Sequence, residues 1–181
     1  MALPGQGRAE WLEADGLGGF ASGTASGIRT RRYHALLLPA TAPPAGRVVL
    51  VNGLEVWIET LAGTVALSSQ RYAPDVTHSD GASRIVAFST DPWPRWTYAM
   101  PDGSRIEHEC FVRHGEPLTV LTWRILDAKG PVRLHVRPLL SGRDYHALHH
   151  ENAAFRFDAT TAHGRIVWRP YEGVPAIVAL T

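Results

Sequence analysis

Val132-Arg133-Leu134-His135-Val136-Arg137 is the stretch that decides the class of fold. Apolar and cationic residues alternate with a period of two. In a strand this sends Val132, Leu134 and Val136 to one face and Arg133, His135 and Arg137 to the other. A turn signal, Ala128-Lys129-Gly130-Pro131, precedes the run, and the strand reads on to Leu140. The same grammar extends in both directions. Leu118 to Leu126 reads as the preceding strand, and Arg95 to Met100 and Arg105 to Arg113 flank the turn Pro101-Asp102-Gly103. Arg84 to Ser89 is another strand. Arg47 to Val51 ends at Asn52-Gly53, a short hairpin signal, and Leu54 to Glu59 is expected to answer it. Phe155 to Asp158 and Arg165 to Arg169 read as a hairpin around His163-Gly164. Ser68 to Ser83 is polar and reads as a long loop. No stretch holds a helical period, so the expectation is all-β: an antiparallel β-sandwich with little or no helix.

Composition bounds the rest. The 181 residues are enough for one domain with a real core, and 45% hydrophobic with 19% charged is an ordinary globular balance. A net charge of +1 gives no bulk attraction to nucleic acid. Cys110 is alone, which excludes an internal disulfide and a cysteine-based metal site. No segment is long and apolar enough to span a membrane, and Met1-Ala2-Leu3-Pro4-Gly5 lacks the pattern of a signal peptide, so a cytoplasmic location is expected. The final run, Ala176 to Thr181, is an apolar strand without a terminating turn, which is expected of a piece of something longer.

One hexapeptide pattern occurs twice. Arg31-Arg32-Tyr33-His34-Ala35-Leu36 and Arg143-Asp144-Tyr145-His146-Ala147-Leu148 both read R-x-Y-H-A-L. Polar side chains at strand ends can serve a site or can brace the ends through a buried network. The two segments are expected to meet, with Asp144 the natural carboxylate for an arginine. Before the first copy lies Gly16-Leu17-Gly18-Gly19-Phe20-Ala21-Ser22-Gly23-Thr24-Ala25-Ser26-Gly27. It fits neither the dinucleotide spacing nor a phosphate loop with its lysine, and reads as tight strand crossings. His146, His149, His150 and Glu151 match no metal-ligand spacing, so neither a metal nor another cofactor is expected. Trp93, Trp96 and Tyr98 surround the corner Asp91-Pro92-Trp93-Pro94 and are candidates either for core packing or for stacking on a sugar ring.

Glu10-Trp11-Leu12-Glu13-Ala14-Asp15-Gly16-Leu17-Gly18-Gly19-Phe20-Ala21-Ser22-Gly23-Thr24, then Thr30-Arg31-Arg32-Tyr33-His34, then Pro43-Pro44 with Arg47-Val48-Val49-Leu50, resembles the N-terminal domain of bacterial and archaeal glycogen debranching enzymes. Asp91 to Tyr98 and Arg137 to His146 resemble it too, in the same order. The departures are Asp15 where the family tends to have asparagine, Phe20 for tyrosine and Ala35 for glycine. The resemblance implies a large β-sandwich of the super-sandwich type filling 1–181. It further implies a following α/α toroidal domain in the same polypeptide, carrying the amylo-α-1,6-glucosidase activity. Hydrolysis of a glycosidic bond needs two carboxyl groups flanking it, and in this family they lie on the toroid, so no catalytic residue is expected in this chain. The implied partners are the catalytic domain and glycogen or another α-glucan. Arg31, Arg32, Tyr33, His34, Arg143, Asp144, Tyr145 and His146 are the candidates for sugar or interdomain contact. Two other readings stand beside it: a purely structural sandwich that never touches sugar, and a metal-dependent enzyme of the cupin-like type.

Overall fold

The computed structural model describes residues 7–180. Its strands are β1 (Glu10–Ala14), β2 (Phe20–Thr24), β3 (Ala35–Leu38), β4 (Ala40–Ala42), β5 (Ala45–Thr60), β6 (Gly63–Ala66), β7 (Gln70–Tyr72) and β8 (Val76–His78). After a single 3-10 turn, Gly81–Arg84, follow β9 (Ile85–Ser89), β10 (Arg95–Ala99), β11 (Arg105–Val112), β12 (Thr119–Asp127) and β13 (Arg133–Asp144). β14 (Ala159–Ala162), β15 (Arg165–Trp168) and β16 (Ile177–Leu180) complete the order. Every pairing is antiparallel. The fold is the all-β sandwich that the alternating strands call for.

A seven-stranded sheet is built around β5, along the path β1-β2-β3-β5-β13 with β4 and β6 also on β5. A four-stranded sheet, β12-β11-β10-β9, packs over it. The main core lies between them: Trp11, Ala21, Val56 and Ile58 from one sheet meet Ile85, Trp96, Tyr98, Ile106 and Cys110 from the other. Trp11 and Trp96 cross edge to face at 5.7 Å, an arrangement that suits their ring quadrupoles. Each indole N–H finds a carbonyl, Trp11 on Thr24 and Trp96 on Ala25. The three-stranded sheet β14-β15-β16 covers a second cluster where Leu50, Val51 and Ile177 meet.

Asn52-Gly53 does not turn the chain. β5 runs 16 residues straight through it, and the partner register jumps from Leu139↔Gly53 to Leu140↔Val51. Asn52 is therefore the extra residue of a β-bulge. Long pairing with β13 on one side, joined by β3 at Val51 on the other, outweighs the local turn preference. The actual reversal comes earlier, where Pro43-Pro44 joins β4 to β5. The glycine-rich stretch also holds a strand, β2, because small residues let it pass beneath Trp11. The loop expected over Ser68 to Ser83 contains the ribbon β7-β8, and the late hairpin turns at His163-Gly164 with its first strand at Ala159–Ala162. β13 keeps the expected alternation, but as an edge strand it leaves Leu134 and Val136 exposed beside the buried Ile58 and Val56. Its cationic face meets Glu55 and Glu59 of β5, and His135 stacks flat on Trp57.

Candidate functional site

The two hexapeptides meet, the first leading into β3 and the second beginning at the end of β13, the two strands that flank β5. Arg32 Nη1 donates to the His146 carbonyl at 2.7 Å, and Arg143 Nη2 donates to the Arg32 carbonyl at 2.5 Å. The Tyr33 hydroxyl and His146 Nδ1 lie 3.2 Å apart. The rings of Tyr33, Tyr145 and His146 cluster, with centroids separated by 3.8 to 5.8 Å. Arg32 sits over the Tyr33 ring, and Arg47 sits over that of Tyr145. Arg31, Arg32, Tyr33 and His146 are exposed and Tyr145 is half-buried, so the group forms a surface shelf of rings flanked by guanidinium groups.

Arg143 lies beneath this shelf, 6% exposed. Asp144 does not pair with it. Its guanidinium instead donates to the carbonyls of Arg32, Asp144, Tyr145 and Ala147 and to Asn52 Oδ1. The carboxylate of Asp144 accepts the backbone N–H of His146 at 2.8 Å and closes the local turn. A guanidinium presents a fork of N–H donors, and a chain curling around it can fill them with carbonyls alone. Burial lowers the Arg143 pKa, Arg32 adds to this, and Asp144 opposes it.

The other candidates divide between core and surface. His34 is buried; its Nδ1 accepts the Thr30 N–H at 3.1 Å. Burial, more than any neighbouring charge, lowers its pKa. Arg31 donates to Glu10 at 2.5 Å, and that bond is the first cause of the lowered pKa of Glu10. Trp96 and Tyr98 are in the main core, and burial raises the Tyr98 pKa. Trp93 is half-buried against Phe111. No group of three or more His, Cys, Asp or Glu suited to holding a metal ion occurs among the described residues.

A cavity of about 90 Å³ opens next to the shelf, between the two large sheets. Trp11, Trp96 and His108 form part of its wall, with Arg29, Asn52 and Gln70 at the bulge. His108 is stacked between Trp96 and Trp123, and its Nδ1 is 2.9 Å from the Thr122 carbonyl. Burial drives its pKa down to about 4, so it is neutral near pH 7, with Nδ1 carrying the proton. Arg29, Asn52 and Gln70 escaped the reading of the sequence. Asn52 had been absorbed into a presumed turn. Arg29 stands two residues ahead of the repeat, and that proximity was the one available signal.

No helix among the described residues is long and apolar enough to cross a membrane. No curated protein matches the chain, and no solved structure does. The family described as glycogen debranching enzyme N terminal matches residues 9–181. With that match spanning all the strands, the chain belongs to the N-terminal domain family of glycogen debranching enzymes.

Proposed function

We infer that this chain is the accessory domain of an amylo-α-1,6-glucosidase, and that it holds α-glucan on the ring shelf while bracing a toroidal catalytic domain of the same polypeptide. The observation that carries this is the convergence of Tyr33 and His146, 113 residues apart in sequence, into one exposed aromatic surface with Arg32 alongside. Glucose rings present apolar C–H faces bordered by hydroxyls. Aromatic faces with guanidinium groups at their margin complement both features. Hydrolysis belongs to the toroid under this reading, and the shelf contributes affinity and orientation.

The test is calorimetric titration of the chain with maltooligosaccharides and glycogen, and of Tyr33→Ala and His146→Ala. Affinity falls about tenfold or more in each variant, while the Tm moves by only a few degrees. In the full enzyme the same substitutions lower debranching more than they lower stability. Unchanged glucan affinity in both folded variants overturns the shelf as a glucan site, and leaves the bracing role to be tested by the domain's attachment to the toroid.

A further inference from the structure

The cavity contains polar groups that the protein itself does not satisfy. Gln70 is 3% exposed. Its Nε2 donates to the Leu54 carbonyl at 2.9 Å, but its Oε1 is buried with no hydrogen-bond partner. Arg29 is half-buried along the same wall. Among the described residues its guanidinium makes no hydrogen bond and no ion pair. A β-carbon at position 53 would collide with Arg29 Nη1, so the glycine of the bulge is what lets the guanidinium lie against the β5 backbone. Burial lowers its pKa, Tyr72 opposes this, and the like charge of Arg143, which touches Asn52 of the same bulge, adds to it. A partly desolvated cation without an anion is unfavourable, and so is a buried amide oxygen without a donor. Both residues line one space, but Gln70 Oε1 is shielded from any water-sized group, whereas His108 Nε2 on the same wall is not.

The groups open to the cavity specify complementary chemistry. Arg29 calls for an oxyanion, and the Asn52 amide nitrogen, which donates to nothing among the described residues, is a second donor beside it. His108 adds an acceptor, because its proton is on Nδ1 and Nε2 keeps its lone pair. A simple anion would leave His108 Nε2 unpaired, and a neutral polyol would leave Arg29 uncompensated. At the roughly 10–15 Å³ that one water needs, about 90 Å³ accommodates about six to nine water-sized groups.

We propose that the inter-sheet cavity is a binding site for a small hydroxylated oxyanion, whose negative group pairs with Arg29 and whose hydroxyl donates to His108 Nε2. The site is separate from the ring shelf and does not depend on the glucan reading. The anion can be a hydroxycarboxylate or a phosphate that keeps one proton.

Calorimetric titration of the chain with D-glycerate and with inorganic phosphate tests this, with acetate as charge without hydroxyl and glycerol as hydroxyl without charge. At least one of glycerate and phosphate binds, and acetate and glycerol bind about tenfold or more weakly than it does, since a site built for a hydrogen bond rejects analogues that lack it. Whether glycerate or phosphate binds more tightly identifies the source. Arg29→Leu abolishes the binding. Gly53→Ala displaces the guanidinium without removing its charge and weakens binding about tenfold, at a backbone position that is not in the left-handed region. Arg29→Leu retains glucan affinity, and Tyr33→Ala retains anion affinity, so the two sites succeed or fail separately. The proposal is overturned if neither anion binds, if acetate and glycerol bind as well as glycerate and phosphate do, or if binding survives folded Arg29→Leu and Gly53→Ala but is lost in Arg32→Ala.

Discussion

Two arginines separated by one bulge behave in opposite ways. Arg143 is buried, and five oxygens surround its guanidinium, four of them backbone carbonyls. Arg29 is less buried and has no partner among the described residues. Burial is the first cause that lowers the pKa of each, and a neighbouring arginine adds to it in both. Arg143 is thus a fastener: the chain folds around it, and its removal leaves carbonyls stranded. Arg29 is a group held ready, with the energetic signature of something that a ligand completes. A satisfied polar network and an unsatisfied one look alike in composition and differ only in their partners.

The largest effect that sharpens this contrast is the loss of Arg143. Arg143→Leu removes the donor for carbonyls on both hexapeptides at once. Hydrogen bonds to a charged group contribute about 1.5–3 kcal/mol each, but they are not additive when they share one donor group. An expected cost of about 3 kcal/mol follows, read as a lower urea midpoint at unchanged slope. A cost below about 1 kcal/mol would mean that the seam does not fasten the fold.

Acid acts on the cavity next. His108 has a lowered folded pKa, so the unfolded chain binds more protons between its ordinary value of 6.5 and about 4. Stability is therefore fully present above pH 6.5 and falls as pH drops toward 4. The full shift corresponds to roughly 3 kcal/mol. Because His108 is only half-buried by exposure, with its edge along a solvent-reaching cavity, about 2 kcal/mol is the expected loss. His108→Phe keeps the stack between Trp96 and Trp123 and removes the titration. The difference between wild type and variant, measured by urea unfolding from pH 7 to pH 4, should follow that curve. Parallel pH profiles would show that the ring is hydrated when folded.

The strands were legible because their signal is local. Alternation marked β13, β11 and β12, and prolines and glycines marked their ends. The repeated R-x-Y-H-A-L was legible as chemistry, and its two copies do meet. What could not be read depends on partners distant in sequence. Asn52-Gly53 has every local mark of a turn, yet β13 and β3 hold it straight. Asp144 looked like the partner of Arg143, yet carbonyls of the surrounding chain reach the guanidinium instead. Trp96 and Tyr98 read from sequence as either core or sugar-stacking residues, and the choice lies with β11 and β9, which place their strand at the centre of a sheet whose inner face is covered. Arg29 carried no periodic mark. Its meaning depends on a glycine in β5 and a histidine in β11.

Removing Arg29 should work in the direction opposite to removing Arg143. Arg29→Leu deletes an uncompensated, half-buried cation and replaces it with apolar volume against Trp and Leu neighbours. The ligand-free chain is expected to gain about 1 kcal/mol, seen as a raised urea midpoint. The gain shrinks when glycerate or phosphate is present, because those anions stabilise only the wild type. Destabilisation by more than about 1 kcal/mol would place Arg29 with Arg143 among the fasteners and dissolve the distinction between the two regions.

The smallest effect tests the shelf itself. The Tyr33 hydroxyl touches one group, His146 Nδ1, at 3.2 Å in an exposed setting where water can substitute. Tyr33→Phe removes that contact but leaves the ring against Tyr145 and His146. Its expected cost to stability is below about 0.5 kcal/mol by urea unfolding, since an exposed hydrogen bond exchanges with water at little net change. Ring stacking survives the substitution, so glucan affinity should fall by about two- to fivefold, against tenfold or more for Tyr33→Ala. That ordering separates a surface that uses its rings from one that only holds strand ends together. If Tyr33→Phe lowered stability by 2 kcal/mol or more, the hydroxyl would be a structural link like Arg143. The shelf would then belong to the fastened half of the molecule, and the cavity around Arg29 would be the remaining region of this domain with capacity to spare for a ligand.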